Sequence, residues 1–161
     1  MKVVYILGFM LCLHALQAQE FSSKIINVID GNTFEIIDPS KETVKVMLSE
    51  VDAPELAQEH GEEARQFSEK LLLKKKVKVE FKGKDFLGNK LAKVTLKNDQ
   101  DVGYILLENG WAMVKERTKN KKFLALQSKA KNDKLGLWVT ENPTTPWVFR
   151  RQQTMIQAKS R

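Results

Sequence analysis

Three β-prone runs in close succession constrain this chain most. KIINVI (24–29), TFEII (33–37) and TVKVML (43–48) are rich in β-branched and aliphatic residues, and the turn formers Asp30-Gly31-Asn32 and Asp38-Pro39-Ser40 separate them. They read as a three-stranded meander. From Glu59 the periodicity changes: Ala64, Phe67 and Leu71 recur at helical spacing, with Glu62, Glu63, Arg65, Glu69 and Lys70 on the other side. Acid at the start of this segment and Lys74-Lys75-Lys76 at its end suit the dipole of a helix.

Two further strands follow, VKVEF (77–81) and LAKVTL (91–96), joined by a polar turn containing Gly83, Lys84, Asp85, Gly88 and Asn89. A short helix is expected over about 101–109, with Val102, Ile105 and Leu106 on one face and Gly110 as its stop. A last helix, roughly 121–135, carries Phe123, Leu126 and Ala130 inward and closes at Gly136. Five strands, a helix between the third and fourth, and helices after the fifth predict a mainly β fold with α. The matching architecture is a five-stranded oligonucleotide/oligosaccharide-binding (OB-fold) barrel with about three helices.

The first eighteen residues read as a signal peptide: Lys2, an apolar run from Val3 to Leu13, and a small-residue exit ending at Ala18. That run is shorter than the roughly 18 residues a bilayer span requires, so cleavage and export, to the periplasm or the medium, are expected. Cys12 is the chain's one cysteine and falls inside the leader, and His60 is the one histidine beyond it. Disulfides, cysteine-ligated metal, Cys/His catalysis and multi-histidine zinc are thereby excluded from the mature chain. The remaining roughly 140 residues suit one domain, expected over 24–149, with a basic tail, 150–161, of which the polar, basic stretch QQTMIQAKSR (152–161) suggests a frayed end. Loss of Lys2 takes the formal charge from +7 to +6, which favours nucleic acid or another polyanion as partner. A monomer is expected.

Seven segments in order, VIDGNT, VDAPE (51–55), HGEEARQF (60–67), DFLGNKLAKV (85–94), LLENGWA (106–112), KLGLW (134–138) and PWVFRR (146–151), resemble the staphylococcal nuclease, or thermonuclease-like, family. The resemblance spans about residues 24–151 and implies a calcium-dependent phosphodiesterase acting on DNA and RNA. Carried over position by position, it implies that Asp52 is a calcium ligand, that Ala53 offers a backbone oxygen, and that Glu55 is the general base and part of the metal site. His60 reads as the start of a helix, and Trp111, Trp138 and Trp147 as packing residues.

Other positions depart from the family pattern. Asn32 stands where the DGDT turn supplies a second calcium carboxylate, so calcium binding is expected to be weakened, with Asn32 offering at most an amide oxygen. Met47 and Asn89 stand where the family has its two phosphate-facing arginines, and VKERT (114–118) has no tyrosine for the nucleotide pocket. A donor aimed at a phosphoryl transition state is worth about 10²–10³ in rate, an arginine up to about 10⁵. Lys45 and Lys90 are the candidate substitutes in substrate binding, although lysine lacks the bidentate fork of arginine. Two functions follow: a scaffold that binds nucleic acid or another polyanion with little or no hydrolysis, or an active metal-dependent nuclease with altered ligation.

Overall fold

The structure, a computed structural model, describes residues 20–159; the expected leader lies outside them. The elements run β1 (Glu20–Val28), β2 (Thr33–Ile37), β3 (Thr43–Leu48), β4 (Val51–Asp52), α1 (Gly61–Leu72), β5 (Lys76–Lys84), β6 (Lys90–Leu96), α2 (Val102–Glu108), β7 (Met113–Val114) and α3 (Lys121–Asn132). A 3-10 turn at Gly136–Val139 and α4 (Pro146–Lys159) complete the chain. Strands β1-β2-β3-β6-β5 close into a barrel. All its pairings are antiparallel except β3 with β6, which runs parallel and seals the meander to the second hairpin. The expected five-stranded mainly β barrel with added helices is therefore what the chain forms.

The core follows from alternation along the strands. Ile25, Phe34, Ile36, Val46, Val77, Val79, Ala92 and Val94 point inward and are buried, whereas Glu35, Lys45 and Lys93 stand on the outer face. Leu72 joins this core from α1, and Val102, Leu106 and Leu107 join it from α2. In α2 the buried partner is thus Leu107 rather than Ile105, which is half-buried. Asp101 caps α2 by accepting from Gly103 N at 2.7 Å, and Asn120 caps α3 through Lys122 N and Phe123 N. Phe123 meets Tyr104 edge-on at 4.7 Å and so fastens α3 to α2.

Two features differ from the sequence expectation. Strands β4 and β7, only two residues each, pair as a small separate sheet, Val51 with Val114 and Asp52 with Met113. Of the stretch after PWVFRR that was expected to fray, residues 152–159 are instead the second half of α4, whose first residue, Pro146, is buried and whose residues from Arg151 to Lys159 are exposed. Proline at the first helical position lacks only an N–H that has no helical partner there, and the run after it contains no helix breaker.

Candidate active site

Asp52 sits on β4, where pairing with β7 fixes its backbone and leaves its side chain 3 % exposed. The next residues form a tight loop into α1. Gln58 holds that loop: its Oε1 accepts from Glu55 N at 3.2 Å, its own N–H donates to Glu55 O at 2.8 Å, and Gly61 N donates to Gln58 O at 2.9 Å. Gly61 packs so closely that a β-carbon there would lie 1.9 Å from Glu55 O. His60, at the αL residue preceding α1, bonds Thr140 Oγ1 at 2.8 Å through Nε2. Its backbone leads into the helix, as the sequence suggested, while its side chain ties the loop to Thr140.

The Asp30-Gly31-Asn32 turn is fixed against the same loop. Ser68 of α1 donates to Gly31 O at 2.6 Å. A β-carbon on Gly31 would stand 2.5 Å from that of Ala53 and 3.0 Å from that of Ala64, so this approach requires glycine and small partners. Asp30 Oδ1 accepts from Asn32 N at 2.9 Å. Burial pushes the Asp30 carboxyl above the usual carboxylate range, against the opposing hydrogen bonds from the turn.

Asn32 is 2 % exposed, and its amide is oriented by one bond: Oδ1 accepts from Ala53 N at 2.9 Å. The side chain's remaining polar atom, Nδ2, has no hydrogen-bond partner among the described residues. A carboxylate here would keep the bond from Ala53 and present a second acceptor; the amide presents a donor, which repels a cation.

Asp52 and Glu55 are brought together by a residue the sequence reading placed in the tail. Arg150 of α4 donates from Nη2 to Asp52 Oδ2 at 2.7 Å and from Nη1 to Asp52 Oδ1 at 3.3 Å, and Nη1 also reaches Glu55 Oε1 at 2.6 Å. This is the forked guanidinium–carboxylate geometry, extended to a second acid. Partial burial works against the guanidinium charge, but the bonds to Asp52 and Glu55 outweigh it and raise its pKa further. Lys115, which donates to Leu48 O at 2.8 Å, is a second cation close to Asp52. Burial lowers its pKa, the Arg150 charge adds to that, and the carboxylates of Asp52 and Asp85 oppose it.

Several of the oxygens a hard cation would use are engaged by groups of the chain itself. Asp52 and Glu55 hold Arg150, the Asn32 oxygen holds Ala53 N, and among the described residues no three of His, Cys, Asp and Glu gather as a metal-holding group.

The positions of the two absent arginines lie at this end of the barrel. Met47 pairs with Thr33 beside the turn and with Leu91 on β6, two residues beyond Asn89. Asn89 donates from Nδ2 to Asp85 Oδ2 at 2.8 Å, so its side chain closes the hairpin turn. Lys45 lies one strand repeat from Met47, across from Glu35, and Lys90 stands over the Phe81 ring at 5.3 Å. The cations recorded against Asp52 are Arg150 and Lys115 instead. PWVFRR carried Arg150 into the family likeness, but nothing in its spacing revealed that the helix returns to the acids. Gln58 gives a partial reason: its Nε2 donates to Thr144 O and ties the site loop to the segment just before α4.

Comparison with known proteins identifies the family. The family model described as staphylococcal nuclease homologue matches residues 45–140. An uncharacterized endonuclease of Escherichia coli O157:H7 is 30% identical over 135 residues, covering 83% of this chain and 88% of its own. An uncharacterized endonuclease of Haemophilus influenzae is 29% identical over 147 residues, 91% of this chain and 82% of its own. The micrococcal nuclease of Shigella flexneri is 29% identical over 143 residues, 82% of each. By the family-model match over more than half of its length, the chain belongs to the staphylococcal nuclease family.

Proposed function

We propose that this domain binds nucleic acid or a similar polyanion with little or no phosphodiester hydrolysis. The observation that carries the reading is Arg150, whose guanidinium occupies Asp52 and Glu55 together. Calcium prefers six to eight oxygens, and a guanidinium fork and a divalent ion compete for the same lone pairs. The Asn32 amide supports this from the opposite wall by presenting a donor. Glu55 as general base would take a proton from water, and the guanidinium bonded to its Oε1 stabilises the carboxylate and so makes it a weaker base. A net charge of +6 on the mature chain supplies attraction to a polyanion, and such binding weakens steeply with salt.

The test pairs binding with cleavage. The mature chain is expected to bind a labelled single-stranded oligonucleotide at low salt, to leave it uncut in millimolar calcium, and to behave identically as Glu55→Gln. Cleavage that Glu55→Gln abolishes would sink the proposal. It would establish the second reading, an active metal-dependent nuclease, which is favoured by the retained Asp52 and Glu55 and by the names of the relatives.

Export belongs to the same proposal and rests on residues 1–18. Mass spectrometry of the protein from its native host is expected to find Gln19 as the first residue; recovery of the chain with Met1 intact would refute processing.

A further inference from the structure

The β5–β6 hairpin ends in an apolar tip that the barrel does not cover. Phe86 is 96% exposed and Leu87 72%. Apolar residues scattered singly over a surface are ordinary, whereas contiguous exposed apolar area marks an interaction site. The turn beneath is well built. Asp85 Oδ1 accepts from Leu87 N at 2.9 Å and Asn89 N at 2.8 Å, Asp85 Oδ2 accepts from Asn89 Nδ2, and Gly88 N donates to Asp85 O at 3.0 Å. No atom lies within 4 Å of where a side chain on Gly83 or Gly88 would begin, so the tip stands clear of the body. Lys82, Lys84 and Lys90 flank it along the two strands. Glu80 pairs with Lys82, and Lys84 is fully on the surface.

We propose that this tip docks the domain on an anionic lipid bilayer, with Phe86 and Leu87 entering the boundary between headgroups and acyl chains and the flanking lysines facing lipid phosphates. Apolar insertion and lysine attraction to an anionic leaflet reinforce one another at such a surface. Shape and composition favour lipid over a nucleobase. Bases are held in grooves, stacked on aromatic faces; this tip is convex, and half of it is an aliphatic side chain. No helix among the described residues is long and apolar enough to cross a membrane, so the contact is peripheral. The tip shares its turn with Asn89, and the oligothymidylate arm of the test below separates lipid docking from a role beside the Asp52 site.

Sedimentation with vesicles tests it. The mature chain is expected to bind vesicles of phosphatidylglycerol and phosphatidylcholine at physiological ionic strength, and phosphatidylcholine alone far less. The double variant Phe86→Ser, Leu87→Ser should bind the anionic vesicles at least about tenfold more weakly. Both side chains are exposed, so its thermal midpoint should match that of the natural chain. Absence of vesicle binding by the natural chain, or equal binding by the variant, overturns the proposal. So does a variant that keeps vesicle binding but loses affinity for oligothymidylate, which would make Phe86 a base-stacking platform.

Discussion

A variant carrying Asn32→Asp, Met47→Arg, Asn89→Arg and Arg150→Ala is expected to cut single-stranded DNA in millimolar calcium at least about 10³-fold faster than the natural chain. Each change has a structural reason. At position 32 a carboxylate keeps the bond from Ala53 N and replaces the unpartnered Nδ2 with an acceptor. At 47 an arginine would start from the strand end beside Thr33 and Leu91. At 89 it would leave a turn still held by the bond to Asp85 Oδ1, whose donor is the backbone N–H of residue 89. Removing Arg150 frees Asp52 and Glu55. The gains need not multiply, because groups that act as a unit are non-additive.

The triple variant that keeps Arg150 is the informative control. If the guanidinium and the metal compete, the triple variant should cleave far more slowly than the quadruple one. Equal rates would mean that Arg150 moves aside without difficulty and that the three replaced positions alone account for any silence. A folded quadruple variant that takes calcium and still does not cleave would show that the scaffold lost something other than these groups.

The barrel was legible because its determinants are local. Alternating aliphatic runs, the Asp30-Gly31-Asn32 turn, and the change to helical spacing near Ala64 each act within a few residues, and they show the succession of strands along the chain and the helix between β3 and β5. Contacts between distant residues left no such trace. Strands β4 and β7 are too short to show a period, and their pairing depends on the barrel bringing Val51 to Val114. Ser68 lies on the inner face of α1 yet is polar, because its partner is the Gly31 carbonyl rather than the core. Asp52 and Glu55 became candidate site residues through VDAPE read together with the six other segments that carry the resemblance. Their partner did not, since Arg150 lies 98 and 95 residues away and its segment reads locally as polar and basic. The Asn32 change was visible as lost charge, but the direction of its amide depends on the Ala53 N–H, which only the folded loop places there.

Arg150→Ala alone is expected to destabilise the domain and, in the same step, to create a response to calcium. Asp52 is 3% exposed and would lose two hydrogen bonds from a cation; Glu55, 34% exposed, would lose one. Stranding a fully buried carboxylate costs about 3–5 kcal/mol. The guanidinium is 43% exposed, and water can partly replace it, so a loss of about 1–3 kcal/mol is the reasonable scale here. For a domain of this size that is a fall in thermal midpoint of roughly 3–12 °C. Calcium should then raise the midpoint of the variant in proportion to the logarithm of its concentration, because it binds the folded state and not the unfolded one, while the natural chain should not respond. Arg150→Lys should lie between the two, keeping a charge near the acids without the fork. An alanine variant as stable as the natural chain, and equally indifferent to calcium, would mean that the guanidinium contributes nothing to holding the acids and that Asn32 by itself closes the site to metal.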